Sequence, residues 1–186
     1  MFSSKKKKLI FTNQVYRVYI NEIKGKDFYV KDFLSIDPIT KNKQGYGGVS
    51  IITIYKEYYY LMRVYSPIVK RYFYSLPQGF VEKKETLKAS AERELNEELG
   101  VNEKNLNISK LSEVFPFNNL INGKLAIFKA LLKKQISSNL AKSEVGTGKI
   151  LKIHRKNLIR MLKHPKKFDL ITFTCLMHFL YNKNNS

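Results

Sequence analysis

The chain has 186 residues, 44% of them hydrophobic, and sets 34 Lys and Arg against 15 Asp and Glu for a formal charge of +19. That is enough apolar material for one domain with a real core, and its 12 Tyr and 12 Phe exclude a largely disordered chain. A single cysteine, Cys175, excludes an intrachain disulfide framework and any multi-cysteine metal site.

In chain order, Met1 to Phe11 carries four lysines followed only by Leu9-Ile10-Phe11, too short for the apolar core of a signal peptide, and Lys5 to Lys8 reads as a solvated tail. Gln14 to Ile20 and Phe28 to Ile36 are β-rich runs joined by a turn near Gly25. Asp37-Pro38 and Gly45 to Gly48 are breakers. Val49 to Tyr55 and Tyr58 to Tyr65, separated by Lys56-Glu57, read as a hairpin. A short strand, Phe73 to Leu76, precedes Pro77. Thr86 to Leu99 reads as a helix with Thr86 as N-cap and Gly100 as its stop. Ile108 to Phe115, Leu125 to Leu132 and Ile150 to Ile153 read as strands, and Lys156 to Leu162 and Asp169 to Tyr181 as helices. The apolar run from Leu170 to Leu180 is too short to span a bilayer, so the expectation is a cytoplasmic protein with no membrane partner. The mixed order predicts α/β layers on a mixed sheet. Residues 1–44 are expected to form a small β subdomain, and residues 45–186 the main domain.

The charge is uneven. Residues 79–101 hold 6 of the 15 acids, Glu82, Glu85, Glu92, Glu94, Glu97 and Glu98, against 4 basic residues. Elsewhere the basic excess has two readings: a nucleic-acid or polyphosphate partner, or codon bias. The preponderance of Lys over Arg, with abundant Asn and Ile, favours bias. On the helix, Leu87, Ala91, Leu95 and Leu99 form the core stripe. Glu94, Glu97 and Glu98, spaced i, i+3, i+4, share the adjoining face, and Glu98 is expected to be partly desolvated. Three stacked carboxylates repel one another, and a divalent cation reverses the sign of that term; oxygen ligands suit Mg²⁺. Cys175 reads as buried packing. His154, His164 and His178 lack ligand spacing.

The pattern Gly79-x5-Glu85-x7-Arg93-Glu94-Leu95-x-Glu97-Glu98-x-Gly100-Val101 resembles the Nudix box without a departure. The resemblance implies a Nudix α/β/α sandwich with a mixed β-sheet, plus the small N-terminal β subdomain. It implies Mg²⁺, with Mn²⁺ as a substitute, held by Gly79, Glu94, Glu97 and Glu98, and structural roles for Glu85 and Gly100. The implied catalytic set is Arg93, Glu97 and Glu144. The implied reaction is hydrolysis of the pyrophosphate bond in a nucleoside diphosphate linked to another group. Leu76 to Glu82, with Pro116 sixteen residues beyond Gly100, is similar to the ADP-ribose pyrophosphatase group. That likeness implies ADP-ribose or a related nucleotide sugar as substrate, a nucleoside monophosphate and a sugar phosphate as products, and substrate contacts at Arg63, Glu82 and Pro116. It also implies a homodimer built with the N-terminal subdomain. The sequence departs from that group at Val64-Tyr65-Ser66 and at Phe115 to Asn118, where the terminal ribose or adenine would be gripped.

Two further readings stand beside this one. The first is an RNA 5′-pyrophosphohydrolase or dinucleoside polyphosphate hydrolase, with the tyrosines at 58–60, 72 and 74 stacking bases, although those tyrosines read more simply as sheet packing. The second is a non-catalytic ligand sensor, disfavoured because every box carboxylate is present. For the base that deprotonates water, a carboxylate outside the metal set is needed. The remaining acids after the box are Glu103, Glu113, Glu144 and Asp169. Asp169 reads as a helix cap, and Glu113 lies in a strand whose facing the sequence leaves open. Related ADP-ribose enzymes carry a mobile glutamate-bearing loop in the interval of Glu144, which implies Glu144 as the base, with Glu94 or Glu97 as alternatives.

Overall fold

The computed structural model describes residues 3–136 and 149–183. They form two sheets and three helices. The first sheet is antiparallel, with β1 (Ser3–Thr12), β2 (Tyr16–Lys24) and β3 (Tyr29–Pro38) in that order. Lys5 to Lys8 therefore lie in a strand and not in a tail: Lys7 pairs with Asn21, and Lys8 with Ile20. Lysine suits an edge strand, which leaves one row of backbone groups unpaired, because the exposed Lys7 and Lys8 discourage another chain from adding there. Lys7 Nζ also lies 2.8 Å from Asp37 Oδ2 on β3.

The second sheet has seven strands: β4 (Tyr46–Tyr55), β5 (Tyr58–Ser66), β6 (Arg71–Ser75), β7 (Gln78–Phe80), β8 (Leu106–Val114), β9 (Lys124–Leu132) and β10 (Ile150–His154). The order is β10-β5-β4-β9-β8, with β6 on β5 and β7 on β4. The β4–β9 pair is parallel and the others are antiparallel, so the sheet is mixed as expected. The β4–β5 hairpin turns at Lys56-Glu57, with Lys56 at φ 54°.

Central strand β4 is buried on both faces, which its run Val49-Ser50-Ile51-Ile52-Thr53-Ile54 requires. Its alternation sorts the core into two layers. Val49 and Ile51 face α1 (Leu87–Leu99), packing with Ala91, Leu95 and Leu99. Ile52 and Ile54 face α2 (Arg155–Leu162) and α3 (Leu170–Lys183), packing with Leu158, Leu162, Cys175 and Leu176. Tyr60 belongs to the first layer and Tyr59 to the second, so both are packing residues. Burial pushes the Cys175 thiol up to about 12, consistent with an inert core residue. His154 caps α2, its Nδ1 accepting from Lys156 N–H at 3.2 Å. Asp169 likewise accepts from Thr172 N–H at 2.8 Å, at the start of α3. None of the described helices is long and apolar enough to cross a membrane.

The two sheets are stitched together beside β4. Ile36 N–H donates to Leu120 O at 2.7 Å, and Asn122 N–H donates to Ile36 O at 2.8 Å. Pro38 sits between two glycines: a Cβ on Gly47 would lie 2.9 Å from Pro38 Cγ, and one on Gly123 would lie 3.2 Å from it. Any side chain at Gly47 would lever the sheets apart.

Candidate active site

Strand β7, which the sequence reading lacks, is what places Gly79. Three residues after Pro77 carry no strand signature of their own, and β4 recruits them through the pairs Gly48–Phe80, Val49–Gly79 and Ser50–Gln78. The chain then loops through residues 81–86 into α1. Thr86 caps that helix, accepting from Ala89 N–H at 3.1 Å. Gly100 ends it at φ 66°, with Val101 N–H returning to Leu95 O at 3.1 Å. These two ends fix the rotation of the helix, and that rotation aims the glutamates at β7.

Glu94 is 7% exposed and presses on Gly79, where an added Cβ would lie 1.9 Å from Glu94 Oε1. Glycine is required there for close approach, not for an unusual backbone angle. Glu98, half-buried as expected, accepts from Gln78 N–H at 3.1 Å. Glu97 stands further out, with 48% of its side chain exposed.

Arg93 ties the face together. Its Nε lies 3.0 Å from Glu85 Oε1, and its Nη1 lies 2.8 Å from Glu94 Oε1 and 3.1 Å from Glu97 Oε2. Its Nη2 donates to Phe80 O at 2.9 Å, anchoring the helix to β7. Glu85 closes the loop by accepting from Ser90 Oγ at 2.6 Å and from Glu82 N–H at 3.2 Å. Burial pushes the Glu85 carboxyl up, but the hydrogen bonds from Arg93, Ser90 and Glu82 outweigh it and hold the group below its ordinary range. Burial likewise works against the Arg93 charge, and Glu85 and Glu94 more than compensate, so the guanidinium is held charged. Glu82 is exposed, and its Oε1 lies 3.8 Å from Arg93 Nε.

Beside Gly79 lies a cleft of about 290 Å³ lined by Tyr16, Pro38, Gln78, Phe80, Pro116, Phe117 and Lys124, among others. Pro116 is thus brought to the box. Tyr16 and Phe80 meet edge to face, with ring centroids 5.7 Å apart. Phe117 belongs to the Phe115 to Asn118 stretch singled out from the sequence, whereas the sequence reading missed Tyr16 and Lys124: Tyr16 has no local signal, and Lys124 is one lysine among many. Gln78 Oε1 is buried with no hydrogen-bond partner among the described residues. Arg63 is not among the cleft's lining residues; it is exposed on β5, its guanidinium 4.1 Å from the centre of the Tyr72 ring. Glu144 lies outside the described residues.

The carboxylates suit a hard dication in their chemistry: an oxygen-only donor set converges on a glycine backbone, with one carboxylate taken almost wholly out of water. Arg93 supplies the positive charge that gathers Glu94 and Glu97. As the side chains stand, no three acidic, histidine or cysteine groups among the described residues form a ready-made metal site. Two of the three glutamates that would hold Mg²⁺, Glu94 and Glu97, are engaged by the guanidinium, and the third, Glu98, accepts from Gln78 N–H.

The NUDIX domain family model matches residues 48–145. The chain belongs to the Nudix family. It is accordingly a pyrophosphohydrolase, of a family whose hydrolases generally need divalent metal ions such as Mg²⁺. A solved structure described as an ADP compounds hydrolase matches 100% of this chain and 97% of its own length, with a TM-score of 0.73. At 14% identity that likeness shows the fold, N-terminal sheet included. No curated protein sequence matches the chain.

Proposed function

We propose that this Nudix protein hydrolyses the pyrophosphate bond of a nucleoside diphosphate linked to another group, ADP-ribose or a related nucleotide sugar, giving a nucleoside monophosphate and a sugar phosphate. The observation that carries this reading is the cleft that opens on Gly79 beside the Glu94 contact. It puts aromatic walls and an unpaired amide oxygen next to the carboxylate face. A molecule with a polar, ring-bearing end and a diphosphate fits both halves. The solved ADP compounds hydrolase, matched over 97% of its length, supports the same substrate class.

In this reading Gly79, Glu94, Glu97 and Glu98 are the residues that would hold Mg²⁺. The ion supplies neutralisation of the diphosphate charge and a lowered pKa for the attacking water. The chain's own residues do the rest. Arg93 keeps the carboxylates ionised and aligned, Glu85 and Gly100 fix the ends of the box, and Pro116 and Phe117 wall off the cleft from water. Glu144 takes a proton from the water as it adds to phosphorus, and the P–O bond to the other phosphate breaks. Glu82 and Arg63 belong to the proposal as outer substrate contacts. Homodimerisation through residues 1–44 belongs to it too, supported by the exposed Leu9, Ile10, Phe11, Phe28 and Tyr29 of that sheet.

The test is a hydrolysis panel with Mg²⁺ and with Mn²⁺, covering ADP-ribose, other nucleotide sugars, dinucleoside polyphosphates and 5′-triphosphate RNA. Nucleotide sugars should give the highest kcat/KM, with a shallow loss of affinity in salt. A preference for RNA with a steep salt slope, the mark of a tracked backbone, would replace the nucleotide-sugar reading.

A further inference from the structure

Among the described residues that line the cleft beside Gly79, Lys124 is the one that carries a formal charge. Lysine is ordinarily the most mobile and exposed of side chains. Here it is held. Its side chain is 20% exposed, its Nζ lies 4.3 Å above the centre of the Tyr46 ring, and Glu113 Oε1 and Oε2 stand 2.9 and 3.1 Å from that nitrogen. Glu113 is itself fixed by a hydrogen bond donated by the Tyr46 hydroxyl. The buried Tyr46 opens β4, Glu113 lies near the end of β8 and Lys124 opens β9, so three strand ends converge to hold one ammonium group.

The arrangement is more than a neutral pair. Lys110 Nζ stands 3.6 Å from Glu113 Oε2 and donates to the Tyr46 hydroxyl. Two ammonium groups thus share one carboxylate, and the cluster keeps a net charge of +1 at the wall of a largely apolar cleft. A partly exposed ion pair contributes little to stability, so fold stability alone is a weak reason to immobilise a lysine. An ammonium ordered in advance loses little freedom when an anion arrives, and apolar walls strengthen the attraction.

We propose that Lys124 is a substrate-binding residue that contacts the anionic diphosphate portion of the ligand, and that Glu113 and Tyr46 are positioning residues that hold it there. The inference rests on the nucleoside diphosphate reading given above and names a contact for it outside the box.

The experiment pairs turnover with direct binding. Calorimetric titration with ADP, without divalent ions, reads the contact in the absence of hydrolysis, and adenosine serves as the uncharged control. Lys124→Met keeps the stem over Tyr46 and removes the charge. It should weaken ADP at least about ten-fold and raise KM similarly, while adenosine binding and kcat stay within about three-fold of wild type. Lys124→Arg should retain most of the ADP affinity. Glu113→Gln should raise KM by a smaller factor at unchanged kcat, a split that a purely structural role would not give. If Lys124→Met does not fold, Lys124→Gln carries the same expectation. Wild type that hydrolyses no nucleoside diphosphate compound, with ADP lost on Lys124→Met, would overturn the substrate reading and leave the contact standing. Wild type that turns over, with Lys124→Met binding ADP as tightly as wild type, would overturn the contact alone.

Discussion

Gly79→Ala gives the sharpest test of the box geometry, because the clash is local and its relief can be designed. The new Cβ would meet Glu94 Oε1 at 1.9 Å, Cδ at 2.2 Å and Oε2 at 2.5 Å. Reaching the ordinary contact of 3.4 Å or more requires the carboxylate to retreat by about 1.5 Å. Glu94 cannot do so and keep Arg93 Nη1 at 2.8 Å. Losing one buried, charge-assisted hydrogen bond costs about 1.5–3 kcal/mol. For a chain of this size that lowers Tm by roughly 3–12 °C and leaves the fold intact. Displacing a reacting group by about 1 Å costs roughly 10²-fold in rate, so turnover should fall by at least that much. Calorimetric melting and initial rates on the best panel substrate measure both. Adding Glu94→Asp shortens the side chain by one methylene. The double variant should melt no lower than Gly79→Ala, because the clash is gone while the Arg93 bond stays broken, and should recover none of the activity. A Gly79→Ala protein with wild-type Tm and turnover would refute the contact, and one whose Tm falls further when Glu94 is shortened would refute the clash as its cause.

Glu97→Gln or Glu98→Gln should each cut turnover by about 10²-fold or more at saturating Mg²⁺. Because Glu97 is half exposed, its variant should melt close to wild type. Glu144→Gln should lower kcat strongly while KM and Mg²⁺ affinity, measured by titration, stay nearly unchanged; an unaltered kcat with chemistry rate-limiting would move the base to Glu94 or Glu97. Glu113 gives a pH signature. Hydrogen bonds from Tyr46 and then Lys124 lower its carboxyl from 4.5 to about 2, so its contribution to stability, kept small by solvent screening, is full above 4.5 and is lost as pH falls toward 2. The Tm gap between wild type and Glu113→Gln should therefore close across that acid range, and a gap that persisted at pH 2 would exclude the ion cluster as its source.

Much of this was legible in residues near one another along the chain. Thr86 and Gly100 mark both ends of α1, the Leu87-Ala91-Leu95-Leu99 stripe sets its buried face, and Lys56-Glu57 marks the central hairpin. The box spacing led directly to the carboxylate face, since one helix carries most of it. What failed to show was whatever depended on distant partners. The lysines of β1 read as a tail because their strand exists only against β2. Strand β7 is too short to announce itself and forms because β4 offers an open edge. The facing of Glu113 needed the register of β8 on β9 and a tyrosine 67 residues away. The cleft needed Tyr16 and Pro38, from the other sheet, to meet Phe80 and Pro116.

The wedge of Pro38 between Gly47 and Gly123 separates two kinds of inheritance in this molecule. The carboxylates that would hold the metal lie on one helix beside one short strand, within 23 residues. One wall of the recognition cleft is contributed by a different stretch of chain, locked on through a ring seated in two side-chain-free backbones. Drift in residues 16–38 can therefore reshape what the cleft accepts without disturbing a single box carboxylate. A side chain at either glycine of the socket would displace Pro38 and, since both glycines also line the cleft, intrude on it directly. Directed evolution for new substrates should concentrate its diversity on the N-terminal sheet and leave that socket alone.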